Sequence, residues 1–460
     1  MPTLLKSSRL TGAERELAED ADDAVRIVSG LLRGGPHGEA FRDRRRTVSW
    51  TVSEAGLLTP CVAEERGTAV RIRDGRKALL FAREGDGPDA LREAVRDASR
   101  RTGGSPFLKP RPRSASAPAP AAPALAEEAD AALLAGAVAR ALPDPRGLAL
   151  QLTLSRTVVT RAVITARGFL SCGTSARLLA SGLVRRSDGT RTFAFQSAEP
   201  LPTAAEAFSQ ALREAVRPVP TAPPSPGTVD VVLSPAAASV FWHEAVGHPL
   251  EAEGRHRQSA LSRVPRAAVA PPGLFVTDDP GAARLPGSFP FDDEGTPARR
   301  VPLIEDGRVV GLLTDLRTAG AESNGHGRAA DYRRPPRPRL SNLVVPPGAS
   351  PLDDLFERCG AGLHVREISS GSLEPESGRF YFLVSSAEVI RRGRAGAPVS
   401  PFALSGDILA ALHRLDPARG DTARPADGLG HCVKGGDAVP VGGSSPAVLL
   451  RGLLITPGRS

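Results

Sequence analysis

The chain has 460 residues, 41% hydrophobic, 24% charged and 4% aromatic, which suits two or three compact domains with cores built on aliphatic side chains. Its formal charge of +8 comes almost wholly from scattered Arg without interleaved aromatics, which fits a compositional Arg, Ala, Gly and Pro bias and excludes a base-stacking nucleic-acid platform. Four cysteines without a CxxC pair exclude a disulfide framework, and the lack of a signal-type apolar segment or an 18-residue apolar run predicts a cytoplasmic protein with no membrane partner.

In chain order, apolar spacings of three and four predict a helix over 11–33. Strands are predicted at 47–63 and 67–83, and a helix at 88–101, as in a small α+β layer. The Pro/Ala/Ser-rich stretch 104–126 reads as an insertion or linker. A helix at 126–142, strands at 147–156, 159–166, 178–184 and 191–198, and a helix at 203–216 complete an N-terminal α+β domain over 1–216. A second Pro-rich stretch, 217–227, is the predicted domain linker. Beyond it, 228–460 reads as a strand-rich C-terminal domain. A buried strand at 230–233 leads into a helix over 235–248, with Ser234 as N-cap and Pro235 in the first turn. Later strands are predicted at 301–305, 308–314, 380–389, 431–434 and 447–455, with a helix at 402–414.

The chemistry concentrates at the end of the 235–248 helix. His243 and Glu244 are adjacent, and His248 follows five residues after His243. Zinc peptidases commonly place two His at i and i+4 on one helix face, with a Glu beside the first as general base. At i+5 a regular helix turns through roughly 500°, which leaves the two imidazoles about 140° apart. They can share an ion only if the helix widens to a π-type turn or ends at His248. Gly247 and Pro249 both favour such a break. Glu251 and Glu253 follow directly, and Glu251 is a candidate to orient a liganding His.

The segment His243-Glu244-Ala245-Val246-Gly247-His248-Pro249-Leu250-Glu251 resembles the signature of the TldD/PmbA peptidase family. The resemblance extends to Phe291-Asp292-Asp293-Glu294-Gly295, to Leu303–Gly311, to Arg339-Leu340-Ser341-Asn342, and to Cys432-Val433-Lys434-Gly435-Gly436. It implies an α+β, two-domain architecture whose C-terminal domain carries a Zn²⁺ site held by His243, His248 and Cys432, with Glu244 as catalytic base. It also implies hydrolysis of unfolded or small peptides, accepted as an added strand. A role in leader-peptide removal and a dimer, homomeric or with a related family subunit, belong to the same expectation. A non-catalytic partner subunit of such a heterodimer is the alternative, and retention of the four site residues weighs against it.

A thiolate suits zinc, yet His431 competes with Cys432 as third ligand. On a strand the two face opposite sides, so only one reaches the ion. Arg339 and Asn342 are candidate substrate-binding or supporting residues. Asp292, Asp293 and Glu294 could hold a second cation, but a capping or orienting role is expected. The basic, Pro-rich loop Asp331–Arg337 could border a cleft and meet an acidic peptide, but a solvated loop is expected. Cys61, Cys172 and Cys359 are expected as buried small residues, and His256, His326, His364 and His413 as surface or packing residues. Val433 stands where the family commonly has Gly, which puts the shape of the substrate channel in question more than the metal site.

Overall fold

The computed structural model describes residues 38–57, 60–74, 77–102, 127–165, 170–218, 220, 222–253, 258–319, 322–425 and 430–456. The predicted helix at 11–33, the 104–126 insertion and His256 lie outside them. No described helix is long and apolar enough to cross a membrane.

The N-terminal half is one antiparallel sheet, ordered Lys77–Glu84, Cys61–Asp74, Gly38–Ser53, Leu148–Thr165, Leu170–Arg186 and Gly189–Ser197, with Gly56–Leu57 paired to the end of Gly38–Ser53. Its strands are longer than predicted. The pair expected at 147–156 and 159–166 is a single strand, and the segments 47–63 and 67–83 each run through a reversal of the chain. Alternation assigns the two faces. Val48, Trp50 and Val52 pack with Leu134, Val138, Phe208 and Leu212 of the helices Glu127–Ala141 and Leu201–Ala215. Ala40, Val70 and Ile72 pack under Leu91, Ala94, Val95 and Ala98 of the helix Pro88–Thr102, whose three- and four-residue spacing presents one apolar stripe.

The opposite sheet face meets the C-terminal half. Phe41, Ala69 and Val163 enclose Phe291 and Tyr332. Gly67 is obligatory there, because a Cβ would lie 2.1 Å from the Tyr332 ring. Arg161 Nη1 donates to both carboxylate oxygens of Asp293 at 3.0 Å, and its Nε donates to Asp43 at 3.1 Å. The loop Asp331–Arg337 therefore docks on the sheet through Tyr332. The acidic run is satisfied within the protein. Asp292 accepts from the backbone N–H groups of Glu294, Thr296 and Gly327, Asp293 from Ala329, and Glu294 from Leu316. The orienting role expected for these acids fits this arrangement; a second cation site does not.

In the C-terminal half the strands Gly362–Glu374, Gly227–Leu233, Val448–Thr456, Phe402–Asp407 and Arg379–Arg391 follow one another in a sheet. The first and last of these also pair, so the five close into a ring. Arg394–Val399 and Leu415–Arg419 extend it. A second, six-stranded sheet includes Val276–Asp278, Asn342–Val344 and Gly442–Ser445. The helix Pro235–Trp242 packs between Gly362–Glu374 and Gly442–Ser445. Trp242 is wholly buried, and its Nε1 donates to Ser445 Oγ at 3.0 Å. The expected helix at 402–414 is corrected: Phe402–Asp407 is a strand, and only Ile408–His413 is helical, capped by Asp407 Oδ1 on the Ala410 N–H. The expected strand 308–314 shortens to Arg308–Val309.

Asp293→Ala removes a carboxylate from a guanidinium that stays largely buried, and it leaves the Ala329 N–H without its acceptor. Urea unfolding should show a loss of about 3 kcal/mol. A loss under about 1 kcal/mol would mean that Asp43 alone satisfies Arg161.

Candidate metal site

The site begins with an ordinary helix start. Ser234 Oγ accepts the Ala237 N–H at 3.2 Å and donates to the Arg366 carbonyl at 2.6 Å, as the sequence predicts for an N-cap. The helix is regular through Trp242. It then widens into a π-turn over His243–Gly247, and the His248 N–H bonds back to the His243 carbonyl. A 3-10 turn over His248–Leu250, with Pro249 inside it, ends the helix. The i→i−5 bond brings His248 to the same side of the helix as His243, which a regular turn cannot do. The imidazole centroids are 4.7 Å apart with the rings at 81°. Gly247 permits the distortion, since a Cβ would lie 2.6 Å from Leu340 Cδ2.

The third group arrives on a hairpin, His431–Lys434 with Asp437–Pro440. Its turn, Gly435-Gly436, has φ of 60° and 85°, the left-handed pair that a two-residue hairpin requires. Cys432 is buried and faces the helix, with Sγ 3.5 Å from His248 Nε2. Ligand atoms of His243, His248 and Cys432 all lie within 4.8 Å of one another. His431 points from the other strand face and is not part of this group. Burial and the charges of Arg177, Arg328 and Arg45 push it down to about 4.

Glu251 organises the surroundings. It is wholly buried, and its Oε2 lies 3.1 Å from His248 Nδ1 and 3.1 Å from Lys434 Nζ. Its Oε1 accepts the Leu340 N–H at 3.2 Å. With Nδ1 engaged, His248 turns Nε2 towards Cys432. Lys434 is two residues from Cys432 on the same strand face, so one hairpin supplies both the thiol and the counter-charge to Glu251. Sequence reasoning missed Lys434, although the two-residue spacing carried the signal.

Arg339 and Asn342 are corrected. Both are fully buried and neither lines the cavity. Arg339 donates to the Cys432 and Asp437 carbonyls, clamping the hairpin. Asn342 accepts the Gly287 N–H and donates to the Asp279 carbonyl and Ser288 Oγ. These bonds hold the framework under the hairpin, while the buried Arg339 Nε has no partner among the described residues. Cys61 is also corrected, being exposed, whereas Cys172 and Cys359 are buried as expected. His326 is buried on Asp278, and His413 is exposed.

A cavity of about 640 Å³ opens over the cluster, lined by His243, Glu244, His248 and Cys432 and rimmed by the bulged strand Gly362–Glu374. Glu244 leans across that strand at Gly371, where a Cβ would lie 2.8 Å from Glu244 Cγ.

Electrostatics couple the members. Burial would depress His248, but the charges of Cys432 and Glu251 outweigh it and raise its pKa well above the usual value. Burial would raise Cys432, but His248 and the hydrogen bonds from both His residues hold it well below the usual value. Burial would also raise Glu251, yet His248, Lys434 and Arg339 keep it strongly depressed. Two imidazoles and a ready thiolate form a donor set suited to a divalent transition metal. The buried His243 Nδ1, which has no hydrogen-bond partner, agrees with that fit.

In the metal-free protein, stability from the raised His248 is complete below its unfolded pKa near 6.5 and disappears as pH rises through its folded value. Stability from the lowered Cys432 is present above about 8.5 and disappears as pH falls through its folded value. Between the two folded values the pair stands as imidazolium and thiolate. Thiolate absorbance near 240 nm, taken as the difference from Cys432→Ser, should therefore titrate well below about 8.5. His248→Ala should return the midpoint towards that value, and a normal midpoint in the parent protein would refute the coupled pair.

Residues 226–457 match the family described as PmbA/TldA metallopeptidase C-terminal domain. Similar relatives include a metalloprotease TldD homolog of Buchnera aphidicola, 33% identical over 50% of this chain and 48% of its own length. A metalloprotease of Methanothermobacter thermautotrophicus is 33% identical over 53% of each chain. A zinc metalloprotease TldD homolog of Saccharolobus solfataricus is 26% identical over 50% of this chain and 52% of its own. These alignments span about half the length of each relative. The fold likeness is wider: TldE from Thermococcus kodakarensis superposes with a TM-score of 0.71 at 17% identity, covering 94% of this chain and 99% of that one. A Thermotoga maritima protein described as a candidate DNA gyrase modulator gives 0.74 at 17% identity, covering 95% and 100%. With its site-bearing half matched throughout, the chain belongs to the TldD/PmbA metallopeptidase family.

Proposed function

We propose that the protein is a zinc-dependent peptidase in which His243, His248 and Cys432 hold the ion and Glu244 is the catalytic base. The observation that carries this reading is the π-turn, which brings two His and a distant Cys together beneath a cavity that Glu244 also lines. Bound zinc supplies a Lewis acid that polarises a peptide carbonyl and acidifies water. Glu244 takes the proton of the attacking water and delivers it to the leaving amine. Glu251, held by Lys434, keeps the His248 ring oriented.

The cavity rim supports a peptide substrate. The segment Ser370–Ser372 pairs with Tyr381–Leu383 on one side, while Gly227–Leu233 pairs only with Leu363–Val365 on the other. Its free edge offers backbone groups to an extended chain, a mode of recognition with little sequence preference. Unfolded or small peptides are the proposed substrates, with peptide maturation as a specific use. Assembly as a homodimer, or with a related family subunit, is part of this proposal and is read by light scattering. Retention of Glu244 beside all three donors disfavours a non-catalytic partner subunit.

Metal analysis should give one zinc per chain in the parent and in Glu244→Ala, while Cys432→Ala loses it. Full occupancy in Cys432→Ala would remove Cys432 as a ligand. Glu244→Ala should lower peptide hydrolysis roughly a thousandfold with zinc retained, and undiminished turnover would exclude it as the base. Competition with a zinc chelator should show Glu251→Gln binding zinc roughly 10- to 100-fold more weakly, an orienting effect that unchanged affinity would disprove.

A further inference from the structure

The inner face of the N-terminal sheet carries a charge imbalance that the peptidase reading does not use. Directly opposed residues of an antiparallel sheet share a face. Arg45 stands opposite Val159 and Ser175, and Arg177 opposite Thr157 and Thr47. Arg45, Arg161 and Arg177 thus lie on one face. That face receives Asp293, Ala330 and Val441 from the C-terminal half. Arg328 approaches from that half, with Nη1 on the Leu340 carbonyl and its guanidinium 4.9 Å over the Phe289 ring.

These cations are unequally served. Arg161 holds both Asp43 and Asp293. Arg45 donates to the Ala330 carbonyl at 2.9 Å, but its buried Nε has no partner. Glu65, opposite Arg45 on the strand away from Arg177, is exposed. The Arg177 side chain makes no hydrogen bond or ion pair among the described residues. Burial, with the charges of Arg45, Arg161 and Arg328, pushes its guanidinium down to about 9.

Arg177 does not itself line the cavity but lies behind its His431 wall, close enough for its charge to act on His431. Two residues along its strand, Leu179 lies opposite Gln196, and Gln196 Nε2 donates to the Val441 carbonyl at 2.5 Å. Val441 follows Pro440, the cross-strand partner of His431. His431 lines the same cavity as His243, Glu244, His248 and Cys432. The planar fork of an unpaired guanidinium matches a carboxylate.

We propose that Arg177, supported by Arg45 and Arg328, forms a carboxylate-binding subsite at the His431 wall of the cavity, receiving either the free C-terminus or an acidic side chain of the bound peptide. The proposal rests on the peptidase reading and adds a substrate class to it. The neutral rim of Ser370, Gly371 and Ser372 reads the backbone, and the Arg cluster reads the charge.

The test is equilibrium binding, by fluorescence anisotropy, of one labelled peptide in three forms to the full zinc-loaded chain carrying Glu244→Ala, which prevents cleavage. The forms are a free C-terminal acid, its amide, and the amide with one internal Glu. At least one acidic form should bind roughly tenfold more tightly than the neutral amide. Preference for the first form identifies the C-terminus as the source, and preference for the third a side chain. Arg177→Gln should abolish the preference, and Arg177→Lys should keep part of it. Equal binding of all three forms, or a preference that survives in Arg177→Gln, overturns the subsite and leaves the peptidase reading standing. Failure of every form to bind sinks both. The comparison of acid with amide needs no Arg177 variant, so it decides the matter even if Arg177→Gln folds poorly.

Discussion

A helix that runs past its last regular turn must send residues i and i+5 to different sides of its axis. At His243 it does not, because the His248 N–H reaches back five residues. The rest of the site is arranged around that bond. Gly247 lets the widened turn press against Leu340 and Leu343, and Pro249 stops the helix before another turn can form. The chain then leaves with Glu251 beneath His248. The same carboxylate accepts the Leu340 N–H and the Lys434 ammonium, so the helix end, the Arg339–Asn342 segment and the Cys432 hairpin meet on one buried anion. A π-turn in a free helix would relax to the regular form. Here it is fixed from three sides.

The two halves of the chain divide the labour. The closed ring of strands and its helix carry the thiol and imidazoles, while the N-terminal sheet covers one flank with Arg, Tyr332 contacts and Gln196. Asp293 is the principal tie, since it bonds the Ala329 N–H of its own half and Arg161 of the other. Asp292 and Glu294 stiffen the same turn through backbone donors. An acidic run that a metal could have claimed therefore serves as a joint.

Much of this was legible in the sequence, and the reasons differ by element. The five-residue His spacing, with Gly247 and Pro249, required a widened or ending helix, and both occur. Ser234 announced its cap, because capping is a local bond between near neighbours. Apolar periodicity predicts the N-terminal strands too short, since polar residues such as Arg44, Arg45 and Arg46 or Arg156 and Thr157 break the apolar run. In the structure Arg45 reaches the Ala330 carbonyl of the other half, while Arg44 pairs with Asp86 and Arg156 with Asp130 on the helix-bearing face. Phe402–Asp407 reads as helix because its apolar residues flow into Ile408–His413 with only Asp407 as punctuation; the ring of strands overrides that local preference. Strands Gly362–Glu374 and Arg394–Val399 escaped notice because bulges and Gly spoil their alternation. The roles of Arg339 and Asn342 depend on partners tens of residues away and could not be read locally.

Arg339 grips the hairpin by two main-chain carbonyls, those of Cys432 and Asp437, and by no side chain. Such a hold is blind to which amino acids the hairpin carries. Val433, the most exposed large apolar residue described at 64%, projects from this gripped strand at the cavity. The hairpin can thus exchange the residues that face a visitor while Cys432 stays where the imidazoles meet it.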